Sequence, residues 1–247
     1  MIKTIVFLTK LVVIAFVALM FSSCRYDVHL NDNDIKGSGN IKSETRTIAE
    51  DFNGIAVDNA IEVIIEQSDD KSIVVEADDN LLSNITTRVE NGILKINSES
   101  GHSTNTTPKV TIKMPIIMKL NSSGSSKIRS INTIICDNLE AIAESSGSIE
   151  INVEADTISL ETESAGYIKA SGKALKLETA SSSGSELDAK KLMANEVIAQ
   201  SNSGSSTTVY PIVSLDASAS TGSSIIYLKV PKSLKKESHS GGNVGEQ

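Results

Sequence analysis

The sequence predicts an all-β solenoid, a parallel β-helix or a near relative, and three observations carry that prediction. Six glycines recur at a near-constant interval: Gly124, Gly147, Gly166, Gly184, Gly204 and Gly222 stand 23, 19, 18, 20 and 18 residues apart. Each follows a run of small, mostly hydroxyl-bearing residues, such as Asn121-Ser122-Ser123 or Ser181-Ser182-Ser183. Apolar residues alternate with polar ones on both sides of every run, as in Leu139, Ala141 and Ala143 before Gly147 and Ile149, Ile151 and Val153 after it. That period of two is the signature of a strand with one buried face. A unit of about 20 residues cannot bury its own apolar face, so the units must stack. A Ser/Gly-rich linker would lack the flanking alternation, and a propeller blade needs about twice this period.

In order along the chain, residues 1–23 read as a leader. Lys3 and Lys10 form a basic start, Leu11 to Phe21 an apolar run, and Ser22-Ser23 precede Cys24. This resembles a bacterial lipoprotein signal of the looser Bacteroidota type, with Phe21 where a strict signal has a smaller aliphatic residue. The resemblance implies that Cys24 is acylated and becomes the mature N-terminus, a membrane attachment through lipid in the outer membrane, facing either the periplasm or the surface. Residues 24–47 are polar and read as a tether. Their Asn31-Asp32-Asn33-Asp34 cluster lacks the ordered ligand spacing of a calcium loop.

Residues 48–231 are expected to form a single solenoid domain with two blocks, 48–115 and 116–231, sharing one core. In the first block the β-branched runs Ile61 to Glu66 and Ile73 to Ala77 are strands bounded by turn residues. Asn80 to Asn84 is a short turn, and Glu90-Asn91-Gly92 joins Thr86–Val89 to Ile93–Ile96 as a tight hairpin, Asn-Gly suiting a type I′ turn. Val110, Ile112 and Met114 alternate into the repeat between Pro108 and Pro115. In the second block the serine–glycine runs are corners. Glycine supplies the positive φ or the close approach that a sharp corner needs. Residues 232–247, basic and then Ser/Gly-rich, are expected to fray.

Several chemistries find no support. His29, His102 and His239 are the only histidines, and none stands beside a nucleophile motif. The Ser-Gly-Ser triplets are serial corners rather than one activated serine on a strand-turn-helix elbow. No glycine-rich loop opens a helix to cradle phosphate. With Cys24 acylated, Cys136 is the only thiol left, which excludes a cysteine metal site and an internal disulfide. No cofactor or metal is implied. A formal charge of −8 argues against nucleic acid. Glu140, Glu144, Glu150, Glu154, Asp156, Glu161 and Glu163 crowd successive repeats and read as a solvated face rather than an acid/base pair. No catalytic residue is assigned. Asp156-Thr157-Ile158 resembles the O-glycosylation triplet of exported Bacteroidota proteins, which makes Thr157 a candidate acceptor.

Four stretches resemble one family: Phe52-Asn53-Gly54-Ile55 with Val57; Ile61 to Gln67 followed by Val74-Val75-Glu76; Asn80-Leu81-Leu82 with Asn91-Gly92-Ile93-Leu94; and the repeated Ser-Gly-Ser corners. This is similar to the DUF2807 family, named for an autotransporter adhesin head domain. The resemblance spans about Ile48 to Val230 and implies a right-handed β-helix that is secreted or lipid-anchored. It brings no catalytic residues. The expected function is a lipid-anchored, non-enzymatic adhesion or interaction surface of the cell envelope, its glycan or protein ligand unnamed and its oligomeric state open. Two alternatives stand beside it: a carbohydrate-active β-helix enzyme, and a structural or envelope-stress lipoprotein of the periplasm.

Overall fold

The computed structural model describes residues 35–99, 102–103 and 107–247. Its opening strands are β1 (Ile35–Lys36), β2 (Ile41–Arg46), β3 (Gly54–Val57), β4 (Glu62–Gln67) and β5 (Ser72–Asp78). After one turn of 3-10 helix at Leu82–Asn84 come β6 (Ile85–Glu90), β7 (Ile93–Ser98), β8 (His102–Ser103), β9 (Lys109–Met114) and β10 (Lys119–Ser122). Five long strands follow: β11 (Lys127–Ala143), β12 (Ser148–Thr162), β13 (Tyr167–Ser181), β14 (Glu186–Ser201) and β15 (Ser206–Ser220). The chain ends with β16 (Ser224–Tyr227), β17 (Ser233–His239) and β18 (Asn243–Glu246).

From β10 onward every pairing is parallel, and each rung lies on the one before it. The result is a β-solenoid of about seven turns. Parallel register stacks equivalent side chains into inward columns. One runs Val110, Val63, Ile128, Ile149, Ile168, Leu187, Thr207, Ile225, Val244. A second runs Leu139, Ile158, Leu177, Val197, Leu215, Leu234. A third runs Leu94, Ile55, Leu120, Ala141, Leu160, Thr179, Ala199, Ala217 and ends on Lys236. The aliphatic members through the middle rungs are fully buried and belong to one continuous cluster. Each large one contributes about 1.5–3 kcal/mol by leaving water.

The two ends of the stack differ. At the chain-first end the ladder turns antiparallel: β6 with β7, and β5 with both β9 and β2. The β6–β7 connection is the expected type I′ turn, with Asn91 at φ 53° and Gly92 at φ 75°. The last rung, by contrast, has no further strand on it among the described residues.

Two segments depart from the sequence reading. Residues 35–46 lie within the predicted tether, yet they carry β1 and β2. β2 has almost no buried side chain, so it lacks the alternation that marks a strand. It is held by main-chain pairing to β5 and by the Asn80 amide and Asp78 carboxylate, which engage Lys36, Ser38 and Gly39. Residues 232–247, expected to fray, form β17 and β18 on the last rung. β17 is exposed along its whole length, which again hides it from a reading by periodicity.

Candidate interaction surface

The serine–glycine corners set the geometry of the surface. Each corner is two consecutive residues with positive φ: Gly124-Ser125, Ser145-Ser146, Ser164-Ala165, Ser183-Gly184, Ser203-Gly204, Thr221-Gly222 and Ser240-Gly241. Gly184, Gly204 and Gly222 thus hold the second turn position, and Gly124 the first. Gly147 and Gly166 stand one place later and act by close approach: a Cβ on Gly147 would lie 2.0 Å from the Ser122 carbonyl oxygen, and one on Gly166 2.0 Å from that of Ala143. The corners are bonded to one another through the stack. The N–H groups of Ser125, Ser146, Ala165, Gly184, Gly204 and Gly222 donate to the carbonyls of Ser145, Ser164, Ser183, Ser203, Thr221 and Ser240 on the next rung.

Beneath the corners runs a buried hydroxyl ladder. Ser185 donates to the Thr162 carbonyl at 2.9 Å, Ser205 to that of Ser181 at 2.9 Å, and Ser223 to that of Ser201 at 2.6 Å. Thr162 and Thr207 both bond the Ser181 hydroxyl. Every hydroxyl in this set has a partner, as burial of polar groups requires. The serine runs are therefore split: Ser181 and Ser185, and Ser201 and Ser205, are buried at either side of their corners, while Ser183 and Ser203 at the turn face solvent.

The outward members line a groove of about 260 Å³ beside the corners, walled by Glu161, Glu163, Ser182, Gln200, Asn202, Ser218 and Ser220 from four successive rungs. Ala180 lies between Glu161 and Gln200 in their column, and its short side chain opens the space. At one end the carboxylates crowd. Partial burial, then the neighbouring Glu163, Glu140 and Glu144, holds the Glu161 carboxyl above the usual carboxylate range. Three of the other acids noted in the sequence, Glu140, Glu150 and Glu154, are ion-paired on the outer face. Glu140 meets Lys119 at 2.9 Å, Glu154 meets Lys173 at 3.8 Å, and Glu150 sits among Lys169, Lys127 and Arg129 with its carboxyl lowered, chiefly by the Lys169 hydrogen bond.

The remaining sequence candidates are placed as follows. Thr157 is half-buried on β12, between Asn138 and Lys176 of the adjoining rungs. Cys136 is a free, half-buried thiol, pushed up by burial and by Asp137. Cys24 and His29 lie outside the described residues. His239 ends β17, level with Ser220 of β15. Among the described residues no group of three His, Cys, Asp or Glu side chains could hold a metal ion, and no helix is long and apolar enough to cross a membrane. The sequence reading missed the groove, because its walls come from repeats about 20 residues apart and only the register aligns Glu161 with Gln200.

Solved structures share this architecture. The chain is similar to a "putative adhesin" from Bacteroides fragilis, with a TM-score of 0.79 at 20% identity over 86% of this chain and 100% of that one. A "putative adhesin" from Parabacteroides merdae matches with a TM-score of 0.70 at 19% identity, over 87% of this chain and 99% of that one. A "putative lipid binding protein" from Parabacteroides distasonis matches with a TM-score of 0.70 at 21% identity, over the same shares. At these identities the likeness is one of fold. No curated protein matches the chain. A family model described as "Putative auto-transporter adhesin, head GIN domain" matches residues 51–231. That span is most of the solenoid, six of the seven corners included, and the chain belongs to this family, DUF2807.

Proposed function

We propose that the protein is a non-enzymatic adhesion or interaction module of the cell envelope, held to the membrane by lipid on Cys24. The observation that carries this reading is the groove beside the corners. Four rungs present carboxylate, hydroxyl and amide groups in register, at about 4.8 Å per rung. Such an array offers many equivalent hydrogen bonds to an extended polar ligand and no single reacting centre. The family description and the adhesin relatives agree with it. Glycan is the ligand class we favour, since hydroxyls and amides in rows complement a chain of hydroxyls. A second reading, a carbohydrate-active enzyme, draws on the raised Glu161 carboxyl with Glu163 beside it, because a carboxyl raised in a cleft suits a general acid.

One experiment separates the two. The full chain in non-ionic detergent is applied to immobilised envelope and matrix polysaccharides. Retention without release of reducing ends, weakened at least tenfold by Gln200→Lys with Asn202→Lys, is the expected result. Release of reducing ends that Glu161→Gln abolishes would overturn the non-enzymatic reading. For the anchor, Cys24→Ala is expected to free the protein from membranes in a carbonate wash; retention of that variant would remove the lipid from the proposal.

A further inference from the structure

A second face of the solenoid, away from the corner groove, carries exposed apolar side chains on nearly every rung. They are Ile135 on β11, Leu175 on β13, Met193 on β14, Val213 on β15 and Val230 beyond β16, with Ile135, Leu175 and Val230 each more than half exposed. Ile135, Leu175 and Met193, with Ile212 of β15, line a groove of about 650 Å³. Its floor is the column Cys136, Ala155, Ala174, and its sides are the columns Ile135, Glu154, Lys173, Met193 and Asp137, Asp156, Leu175, Asn195. Small residues in the floor column sink it below its neighbours. Exposed apolar side chains repeated along one face, with charged and polar residues between them, mark an interaction site.

The charges along the strip say what covers it. At its β11–β12 end stand Asp137, Glu154 and Asp156. At its far end, in the segment 228–232 that joins β16 to β17, stand Lys229 and Lys232, both exposed; the two strands it joins both pair with β15. In between, Lys173 pairs with Glu154, and Lys176 is level with Glu196. Among the described residues no ion pair engages Asp137, Asp156, Lys229 or Lys232. An apolar strip, acidic at one end and basic at the other, is complementary to itself turned end for end. That is the requirement of a two-fold interface, in which the same patch serves both copies.

We propose that this face is a homodimer interface: two copies pack side by side and antiparallel across the strip from Ile135 to Val230. Leu175 and Met193 lie at its middle and meet the same pair on the other copy. Ile135 meets the partner's Val230, and Asp137 and Asp156 meet the partner's Lys229 and Lys232. The corner groove and its ligand are left free, so the pairing stands or falls separately from the adhesion reading. It would double the number of corner grooves per assembly, and linked sites raise avidity without new contacts.

The spacing of the charges makes the test specific. Within one chain Asp156 and Lys229 are four rungs apart, about 19 Å, and Asp137 and Lys232 five rungs apart, about 24 Å. A zero-length carbodiimide coupling of these residues must therefore join two copies. The full chain, in non-ionic detergent, is followed by sedimentation equilibrium and carbodiimide cross-linking with peptide mapping. The expected result is a dimer whose cross-links join Asp137 or Asp156 to Lys229 or Lys232. Lys229→Asp with Lys232→Asp, and separately Asp137→Lys with Asp156→Lys, should each weaken the dimer at least tenfold. An equimolar mixture of the two variants should restore it, because the reversed charges then face one another. Leu175→Asp should dissociate it with an unchanged melting temperature. A monomer, a dimer cross-linked elsewhere, or charge variants that pair as tightly as the parent would each overturn the proposal.

Discussion

Gly147 and Gly184 hold equivalent places in the written repeat and different places in the corner. At Gly184 the demand is conformational: φ is 69°, and a Cβ would meet nothing within 4 Å. Ala165 already occupies the same turn position at φ 61°, so alanine is tolerated there at about 1 kcal/mol. At Gly147 the demand is spatial, since a Cβ would collide with the backbone of the preceding rung. The carbonyl in the way accepts the Glu144 N–H at 3.0 Å, so it cannot move without loosening the ladder. Gly147→Ala is therefore expected to cost about 3 kcal/mol. For a domain of this size each kcal/mol is worth about 2–4 °C. Thermal melts should show Gly147→Ala falling at least twice as far as Gly184→Ala. Equal or reversed losses would mean that the corner register is wrong.

Strands were legible where they bury one face and hidden where they do not. β11 to β15 announce themselves because their columns of Ile, Leu and Val recur at i and i+2 and their corners recur with the repeat. β2 and β17 bury almost nothing, and their sequences, Ile-Lys-Ser-Glu-Thr-Arg and Ser-Leu-Lys-Lys-Glu-Ser-His, carry no usable period. Only the neighbouring strand makes them strands. The corner groove and the apolar strip were hidden for a related reason: both are made by side chains from different rungs. β17 has a further property. By register Lys236 takes an inward position, above Ala217, and its ammonium lies 5.8 Å from the centre of the Tyr227 ring. An inward charge on an edge strand blocks a further strand from adding to it. Lys236→Val would extend the apolar column to the open edge. We expect that variant to self-associate end to end, seen as a concentration-dependent rise in scattering mass that persists when Leu175→Asp is added. A variant no more prone to associate than its parent would place the blunting elsewhere on the rung.

A solenoid is held by contacts between neighbouring rungs, so its stability is local and sums along one axis. The two ends of this one are finished differently. The chain-first end is closed by antiparallel strands whose core residues, Ile73, Val75, Ile85, Leu94 and Ile96, are buried. The last rung has a partner on one side only. Along the same inward column, exposure rises from 2% at Leu215 on β15 to 36% at Leu234 on β17. Opening should therefore begin at β17 and β18 and move toward β15, while the middle rungs open only with the whole domain. Native-state hydrogen exchange on the full chain should find the amides of β17 and β18 exchanging first, those of β12 to β14 last, and those of β3 to β7 close to the middle rungs. The order would invert at low denaturant if the antiparallel closure were the weaker end. If instead β17 exchanged as slowly as β13, the solenoid would open as a single unit, and its terminal rung would be held by contacts that the stack alone does not supply.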